Sequence, residues 1–294
     1  MMATTELSAA PGTGGLLVKA ALGALPLPRM RRRATGLPDT ELVLPEVRVD
    51  AEHLAAYARV CGFAVRDELP ATYPHVLAFP LAMRIMADGS FPFPMIGLVH
   101  IRNVITQHRP LRLDEPFELR VRVADLRPHE RGRQFDVVHE ATVAGEPVWR
   151  DVSTYLRRGS GPDAAATSPR GERLPKDDPA EPATAQWHVG EDTGRRYAAV
   201  SGDRNPIHLH ALAARAFGFR RAIAHGMWTK ARCLAALEGR LPAGYTVDVA
   251  FKLPVLLPAK VAFSSEGAAD GGWRFAVRDA RSGKPHLAGT AVRI

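Results

Sequence analysis

Apolar and polar positions fall into two rhythms along this chain, and each rhythm occurs in both halves. Phe117, Leu119, Val121 and Val123 alternate with Glu118, Arg120 and Arg122, the period of two that a strand shows when one face packs and the other is wet. Comparable strand signals cover 97–107, 133–143 and 148–157, and then 245–252, 255–266, 273–278 and 286–292. Arg281-Ser282-Gly283-Lys284 has the chemistry of a hairpin connection. Ahead of each strand run the spacing is helical. The clearest case is 227–239, where Met227, Ala231, Leu234 and Leu237 share a face. Helices first and strands afterwards, in both halves, predict an α+β fold with helices segregated from an antiparallel sheet.

Between 159 and 186 large apolar residues nearly vanish, and the stretch opens on Gly159-Ser160-Gly161-Pro162, the composition of a linker. With a Gly-, Ala- and Pro-rich N-terminal extension at 1–41, the folded units are expected at 42–158 and 187–294. Those units carry a weak internal repeat. Tyr57-Ala58-Arg59-Val60-Cys61-Gly62-Phe63 matches Tyr197-Ala198-Ala199-Val200-Ser201-Gly202-Asp203, and further matches join Leu77-Ala78 to Ile223-Ala224 and Pro110 to Pro254 in the same order. One ancestral unit, duplicated and fused, accounts for this. The first copy is shortened where the second contains Asp203 to His208.

At 294 residues, the length fits two domains of about 150 residues each. A hydrophobic fraction of 46% supplies a core to both. No apolar run reaches the roughly 18 residues of a membrane span. The apolar piece at 15–27 contains Lys19 and has Arg31, Arg32 and Arg33 behind it, the wrong order for a secretory signal, so a cytoplasmic protein is expected. Cys61 and Cys233 lack the paired spacings of a zinc or redox motif and read as reduced core thiols. The net charge of +8 is spread among acidic residues and only 7% of the chain is aromatic, which argues against a nucleic-acid partner. A solvated basic surface is expected, with a positive rim that attracts a phosphorylated small molecule as the alternative.

Polar chemistry concentrates in one segment, Tyr197 to Met227. Residues 191–201 have helical composition and Gly202 is a natural stop, so Asp203 leaves the helix. Pro206 biases Asn205 away from helical dihedrals and starts a new turn. A tight loop can thereby turn a carboxylate and an imidazole, Asp203 and His208, toward one cavity. A short helix at 210–217 then closes at Gly218. The longer helix at 227–239 begins directly after His225-Gly226, and its first N–H groups lack helical partners. A glycine there admits a ligand oxygen, and the helix dipole favours its negative charge. His208 and His210 imitate a metal pair, but no third ligand sits at a useful spacing, so no metal is expected. Ser201 lacks the Gly-x-Ser-x-Gly setting of a hydrolase nucleophile.

Ser201, Gly202, Asp203, Asn205, Pro206, His208, Gly218, Phe219, His225 and Gly226 resemble the signature of the MaoC-like dehydratases, the family that includes (R)-specific enoyl-CoA hydratases. The resemblance implies two fused hot dog units, each a long central helix wrapped by a curved antiparallel sheet. It also implies reversible syn addition of water to a trans-2-enoyl thioester, giving a (3R)-3-hydroxyacyl thioester. Coenzyme A or the phosphopantetheine of an acyl carrier protein would belong to the substrate, and no separate cofactor is expected.

By the same resemblance Asp203 and His208 form the catalytic dyad; which of the two makes each proton transfer is left open. Ser201, Asn205 and His225 are supporting residues, His225 as a hydrogen-bonding group where the helix starts, and the Gly226 N–H is the candidate for the thioester oxygen. In the first copy Phe63 stands where the second has Asp203, so one active site per chain is expected. Phe63, Phe79 and Met227 are candidate pocket residues, and Phe63, Phe79, Phe91, Phe93 and Met95 together suggest an apolar tunnel for a long acyl tail. A homodimer is left open. Two rival readings are a hot dog acyl-thioesterase and a non-catalytic acyl-binding or assembly subunit.

Overall fold

The computed structural model describes residues 3–12, 14–15, 35–159, 182–269 and 271–294. Most of the expected linker, and the part of the N-terminal extension that holds Lys19 and the Arg cluster, lie outside the described residues.

In the first half, strands β1 (Ala3–Glu6) and β2 (Thr40–Val47) precede helices α1 (Ala51–Cys61) and α2 (Tyr73–Met86). Strands β3 (Leu98–Gln107), β4 (Phe117–His129), β5 (Gly132–Val143) and β6 (Glu146–Arg158) follow. The second half repeats the plan. Strand β7 (Ala185–Val189) leads into α3 (Thr193–Ser201), two short helices α4 (Pro206–Leu209) and α5 (Ala211–Ala216), and α6 (Gly226–Ala236). Strands β8 (Tyr245–Phe251), β9 (Ala259–Gly267), β10 (Trp273–Asp279) and β11 (Pro285–Arg293) complete it.

The expectation of helices before strands needs correction at both starts. β2 precedes α1 and β7 precedes α3, β2 lying between β1 and β4 and β7 at the far edge of the sheet. Pro45 hid β2: the ladder with β4 shifts register between Leu44 and Val47, the irregular position where a proline is tolerated. β7 is short, and only its last residue, Val189, is buried. Part of the N-terminal extension also joins the sheet, because Ala3–Glu6 pairs in parallel with Thr40–Val43. The strand expected from 255 begins instead at Ala259, since Pro254 and Pro258 interrupt the ladder.

All the strands form one sheet, ordered β1-β2-β4-β5-β6-β3-β8-β11-β10-β9-β7. Its middle seam joins the halves, with β3 antiparallel to β8 from Arg102↔Ala250 to Gln107↔Tyr245. Arg102 clamps Asp248 across that seam through Nε–Oδ1 at 3.0 Å and Nη2–Oδ2 at 2.9 Å. In β4 the alternating Phe117, Leu119, Val121 and Val123 are all buried.

α2 packs over β4 and β5 and is buried along most of its length. In α6, Met227, Ala231 and Leu234 face the core as their spacing predicts. α1 and α3 pack against each other, and both end on a glycine in the left-handed region, Gly62 at φ 84° and Gly202 at φ 72°. Tyr57 and Tyr197, matched in the internal repeat, approach to 6.3 Å between ring centroids. Cys61 and Cys233 are free and buried. No helix among the described residues is long and apolar enough to cross a membrane.

Candidate active site

After the left-handed stop at Gly202 the chain turns sharply, and the turn is held by its own polar groups. The Asp203 N–H donates to Ser201 Oγ at 3.2 Å, and the Asn205 N–H donates to Asp203 Oδ1 at 3.2 Å. Asn205 then caps α4, its Oδ1 accepting the Ile207 N–H at 3.4 Å, with Pro206 in the first helical turn. Ser201 and Asn205 thus both help fix the Asp203 loop, Asn205 through its main chain. α4 is only four residues long. It places His208 directly after the loop.

His208 is oriented from the other side. Its Nδ1 lies 2.8 Å from the Ile223 carbonyl, which can only accept, so Nδ1 carries the proton and Nε2 keeps a lone pair. His225 stacks on it at 3.6 Å between centroids and 25° between planes, and donates from Nε2 to the Asp203 carbonyl at 2.9 Å. His225 Nε2 is also 3.8 Å from Asp203 Oδ2. The expected dyad and one of its expected supporting residues thus come together: the ligand-capable atoms of Asp203, His208 and His225 lie within 4.8 Å of one another. The third group beside Asp203 and His208 is His225, not His210.

Burial pushes His208 below the ordinary histidine value against the opposing pull of Asp203, and burial with His208 beside it pushes His225 down to about 3. Burial alone would raise Asp203. The two imidazoles, the Asn205 N–H and the His75 ring outweigh it and hold the carboxyl below its usual range. At neutral pH the site thus holds a carboxylate, 31% exposed, and a neutral imidazole with a free lone pair.

Both groups line a cavity of about 630 Å³, with walls from both halves of the chain. Ser201, Asn205, His225, Gly226 and Met227 line it as well, and so does Phe79 from α2. Gly226 opens α6, and His225 at the cap position makes no side-chain cap bond, leaving first-turn N–H groups at the cavity wall. A Cβ on Gly226 would meet the Phe251 ring at 3.0 Å, so the glycine also permits the packing of that ring.

Phe63 requires correction. It stacks on Tyr57 at 6.4 Å and belongs to the core boundary rather than the cavity lining. Equivalence in the repeat matched its backbone position to Asp203 but not the direction of its side chain. Of the other aromatic and Met candidates, Met95 lines the cavity, while Phe91 and Phe93 pack against Phe135.

Sequence reasoning missed several residues. Tyr155 lines the cavity, and Tyr197, marked in the sequence only as the start of the signature segment, lines it too and packs 4.9 Å from the His225 ring. His75 and His100 enter from the first half, where no local motif marked them. Gly194 was also missed: it sits in α3 where a Cβ would come within 2.0 Å of the His208 carbonyl oxygen. Only its contact partner, distant in sequence, could have identified it.

The MaoC like domain matches residues 172–287, which contain all of this loop and both of its histidines. Over 275 residues the chain is 38% identical to 3-hydroxyacyl-thioester dehydratase X of Mycobacterium tuberculosis, covering 93% of this chain and 95% of that protein. The chain belongs to the MaoC-like dehydratase family. The crystal structure of HtdX from the same organism superposes with a TM-score of 0.76 at 36% identity, covering 86% of this chain and 100% of the other. A MaoC-like dehydratase from Phytophthora capsici shares the fold at 17% identity, with a TM-score of 0.70 over 86% of this chain and 95% of its own. The expected α+β architecture of two fused hot dog units is thus the architecture of the family.

Proposed function

We propose that this protein is a hydro-lyase interconverting trans-2-enoyl and (3R)-3-hydroxyacyl thioesters. The observation that carries the reading is the setting of His208. Its Nδ1–H is committed to the Ile223 carbonyl, so its lone pair is available beside an ionised Asp203 in a cavity large enough for an acyl thioester. Family membership and the near full-length likeness to a 3-hydroxyacyl-thioester dehydratase support it.

In the hydration direction a water held by Asp203 and His208 loses a proton to this pair as its oxygen bonds to C3 of the enoyl group. The π electrons move toward the thioester, and negative charge on the thioester oxygen meets the N–H of Gly226 at the start of α6. A proton returns from the pair to C2. Both additions come from the wall that carries the pair, which makes the overall addition syn. Dehydration reverses each step. His225 supports the arrangement by stacking on His208 and bonding the Asp203 main chain. No metal and no cofactor beyond the CoA or phosphopantetheine of the substrate is required.

Phe79, Met83, Met86 and Met95 line the part of the cavity contributed by the first half and suit an acyl tail. The basic surface suits either the anionic nucleotide end of CoA or an acidic carrier protein. A cytoplasmic location remains part of this proposal.

The test is the loss of enoyl absorbance with crotonyl-CoA and a longer enoyl-CoA. Wild type should hydrate both, and Asp203→Asn and His208→Ala should each lose about two to four orders of magnitude in rate. Release of free thiol without formation of a 3-hydroxyacyl thioester would instead identify a thioesterase, and no turnover of either substrate by the wild-type protein would identify a non-catalytic acyl-binding subunit.

A further inference from the structure

The cavity wall contributed by the first half is not uniformly apolar. Along α2, His75, Phe79, Met83 and Met86 follow one another at helical spacing, and all line the cavity. The stripe covers roughly 16 Å of helix axis, and only its first member is polar. His75 Nδ1 lies 2.5 Å from Asp151 Oδ2. Asp151 is fully buried and also accepts from Asn103 Nδ2 at 2.6 Å and from Ser153 Oγ at 3.1 Å. Lys230, fully buried on α6, donates in turn to the Asn103 side chain and to its carbonyl. This network fixes the His75 ring by its Nδ1 edge and leaves Nε2 as its remaining polar atom at the cavity.

A second imidazole stands beside it. His100 lines the same wall, stacked 6.4 Å from His75 and 4.6 Å from Tyr155. Its Nε2 is buried and has no hydrogen-bond partner among the described residues. Burial, with His75 beside it, pushes His100 down to about 3, so the ring is neutral. The polar patch lies toward the reacting end of the cavity. His75 is near enough to help hold Asp203 ionised, and the Phe251 ring that packs on Gly226 is 4.9 Å from His100.

A metal does not explain the cluster. His75, His139 and Asp151 bring ligand atoms within 4.8 Å of one another, but the 2.5 Å contact between His75 and Asp151 is a hydrogen bond. Two ligands at about 2.0–2.1 Å from a tetrahedral ion would stand farther apart than that.

A polymethylene chain laid along this wall would leave the His75 and His100 nitrogens without partners. Sites built this way discriminate most strongly against the analogue that lacks the matching oxygen. We propose that His75 and His100 form a second, polar subsite, which takes a hydroxyl group carried by the acyl chain beyond the reacting carbons. The subsite deepens the acyl-thioester reading above and rests on it. It makes the preferred substrate an oxygenated acyl thioester, and the reaction that supplies it one that extends an acyl chain without removing every oxygen. The apolar stripe from Phe79 to Met86 then receives the remainder of the tail.

The test is equilibrium binding of saturated acyl-CoA thioesters of one length, unsubstituted or with a single hydroxyl stepped along the chain, to the full-length protein. Saturated thioesters have no alkene to hydrate, so the readout is independent of turnover. At one hydroxyl position wild type should bind the oxygenated chain about tenfold or more tighter than the plain one. His75→Leu and His100→Phe should bring that ratio toward unity while leaving affinity for the plain chain unchanged or higher. Thermal unfolding controls for folding, and if one variant does not fold the other carries the comparison. Equal binding of plain and hydroxylated chains by wild type, or an equal loss for both in the variants, would overturn the subsite. A protein that binds none of these thioesters overturns this inference together with the acyl-thioester reading. One that shows the binding preference yet leaves crotonyl-CoA unhydrated supports the subsite and overturns only the hydratase.

Discussion

Gly194 lies against the main chain of His208, so close that a Cβ at position 194 would stand 2.0 Å from the His208 carbonyl oxygen. The atom in the way is backbone, and neither partner can turn aside as a flexible side chain would. Gly194→Ala must therefore move α3 away from α4, and the movement reaches the imidazole. The overpacking should cost about 1–3 kcal/mol of stability, read as a lower Tm. A displacement near 1 Å should cost about a hundredfold in kcat/KM for enoyl-CoA hydration. Wild-type turnover in a folded Gly194→Ala protein would show that His208 is not held by this contact.

The histidines predict how the protein responds to acid. His208 must be neutral to accept a proton from water, and burial holds it below the ordinary value near 6.5. Hydration should stay level through neutral pH and fall only below that value, as His208 becomes protonated. Stability follows a related rule. His225 and His100 are depressed from 6.5 to about 3, so between those limits the unfolded chain takes up protons that the folded chain refuses. Their stabilisation is complete above 6.5 and is lost as pH falls toward 3, on the order of 1 kcal/mol per pH unit for each. Urea unfolding at a series of pH values checks the slope, which His100→Phe should reduce.

The portion of the site legible in the sequence is the portion where backbone grammar is local. Gly202 ends α3 in the left-handed region, Pro206 starts α4, and the few residues between them carry Asp203 and Asn205, so the loop could be read before its three-dimensional course was known. His225 and Gly226 were legible because they open a strongly periodic helix. The opposite wall was not. His75, His100 and Tyr155 come from α2, β3 and β6, and their convergence depends on sheet pairing, such as His100↔Tyr155, that no short motif encodes. Phe63 shows the complementary limit: a repeat aligns backbones, whereas stacking on Tyr57 decided where that ring went. In the fold, the long alternating strands were readable, while β2 with its Pro45 lacked the period that marks a strand, and β7, whose Ala185, Trp187 and Val189 alternate with Gln186 and His188, was too short to stand out where it starts inside the expected linker.

The seam between the halves offers a test of architecture independent of chemistry. Arg102 and Asp248 form a bidentate pair across β3 and β8, with side chains 15% and 20% exposed. Removing either partner takes both charged hydrogen bonds of the clamp from the other and should cost about 1–3 kcal/mol, the range for a partly buried charged hydrogen bond. Arg102→Ala with Asp248→Ala should cost less than the sum of the single changes, because each substitution removes the same two hydrogen bonds. Additive losses in denaturant unfolding would show that the clamp contributes nothing beyond its separate residues.

Acyl-chain length should be set from α2. Met83 lies two helical turns beyond His75 on the cavity-lining stripe and is itself almost wholly buried. Met83→Trp would fill the far part of the tail region without touching Asp203 or His208. If the tail runs along this stripe, kcat/KM for a long enoyl-CoA should drop by about tenfold or more, the discrimination expected when a hydrophobic pocket loses room for part of its ligand. Crotonyl-CoA, which ends short of Met83, should be hydrated nearly as before. The contrast between the two substrates separates a blocked tunnel from general damage, since a misfolded or loosened protein would lose both rates together. A parallel fall for both would mark general damage rather than a blocked tunnel, and an unchanged rate for the long substrate would place the tail elsewhere.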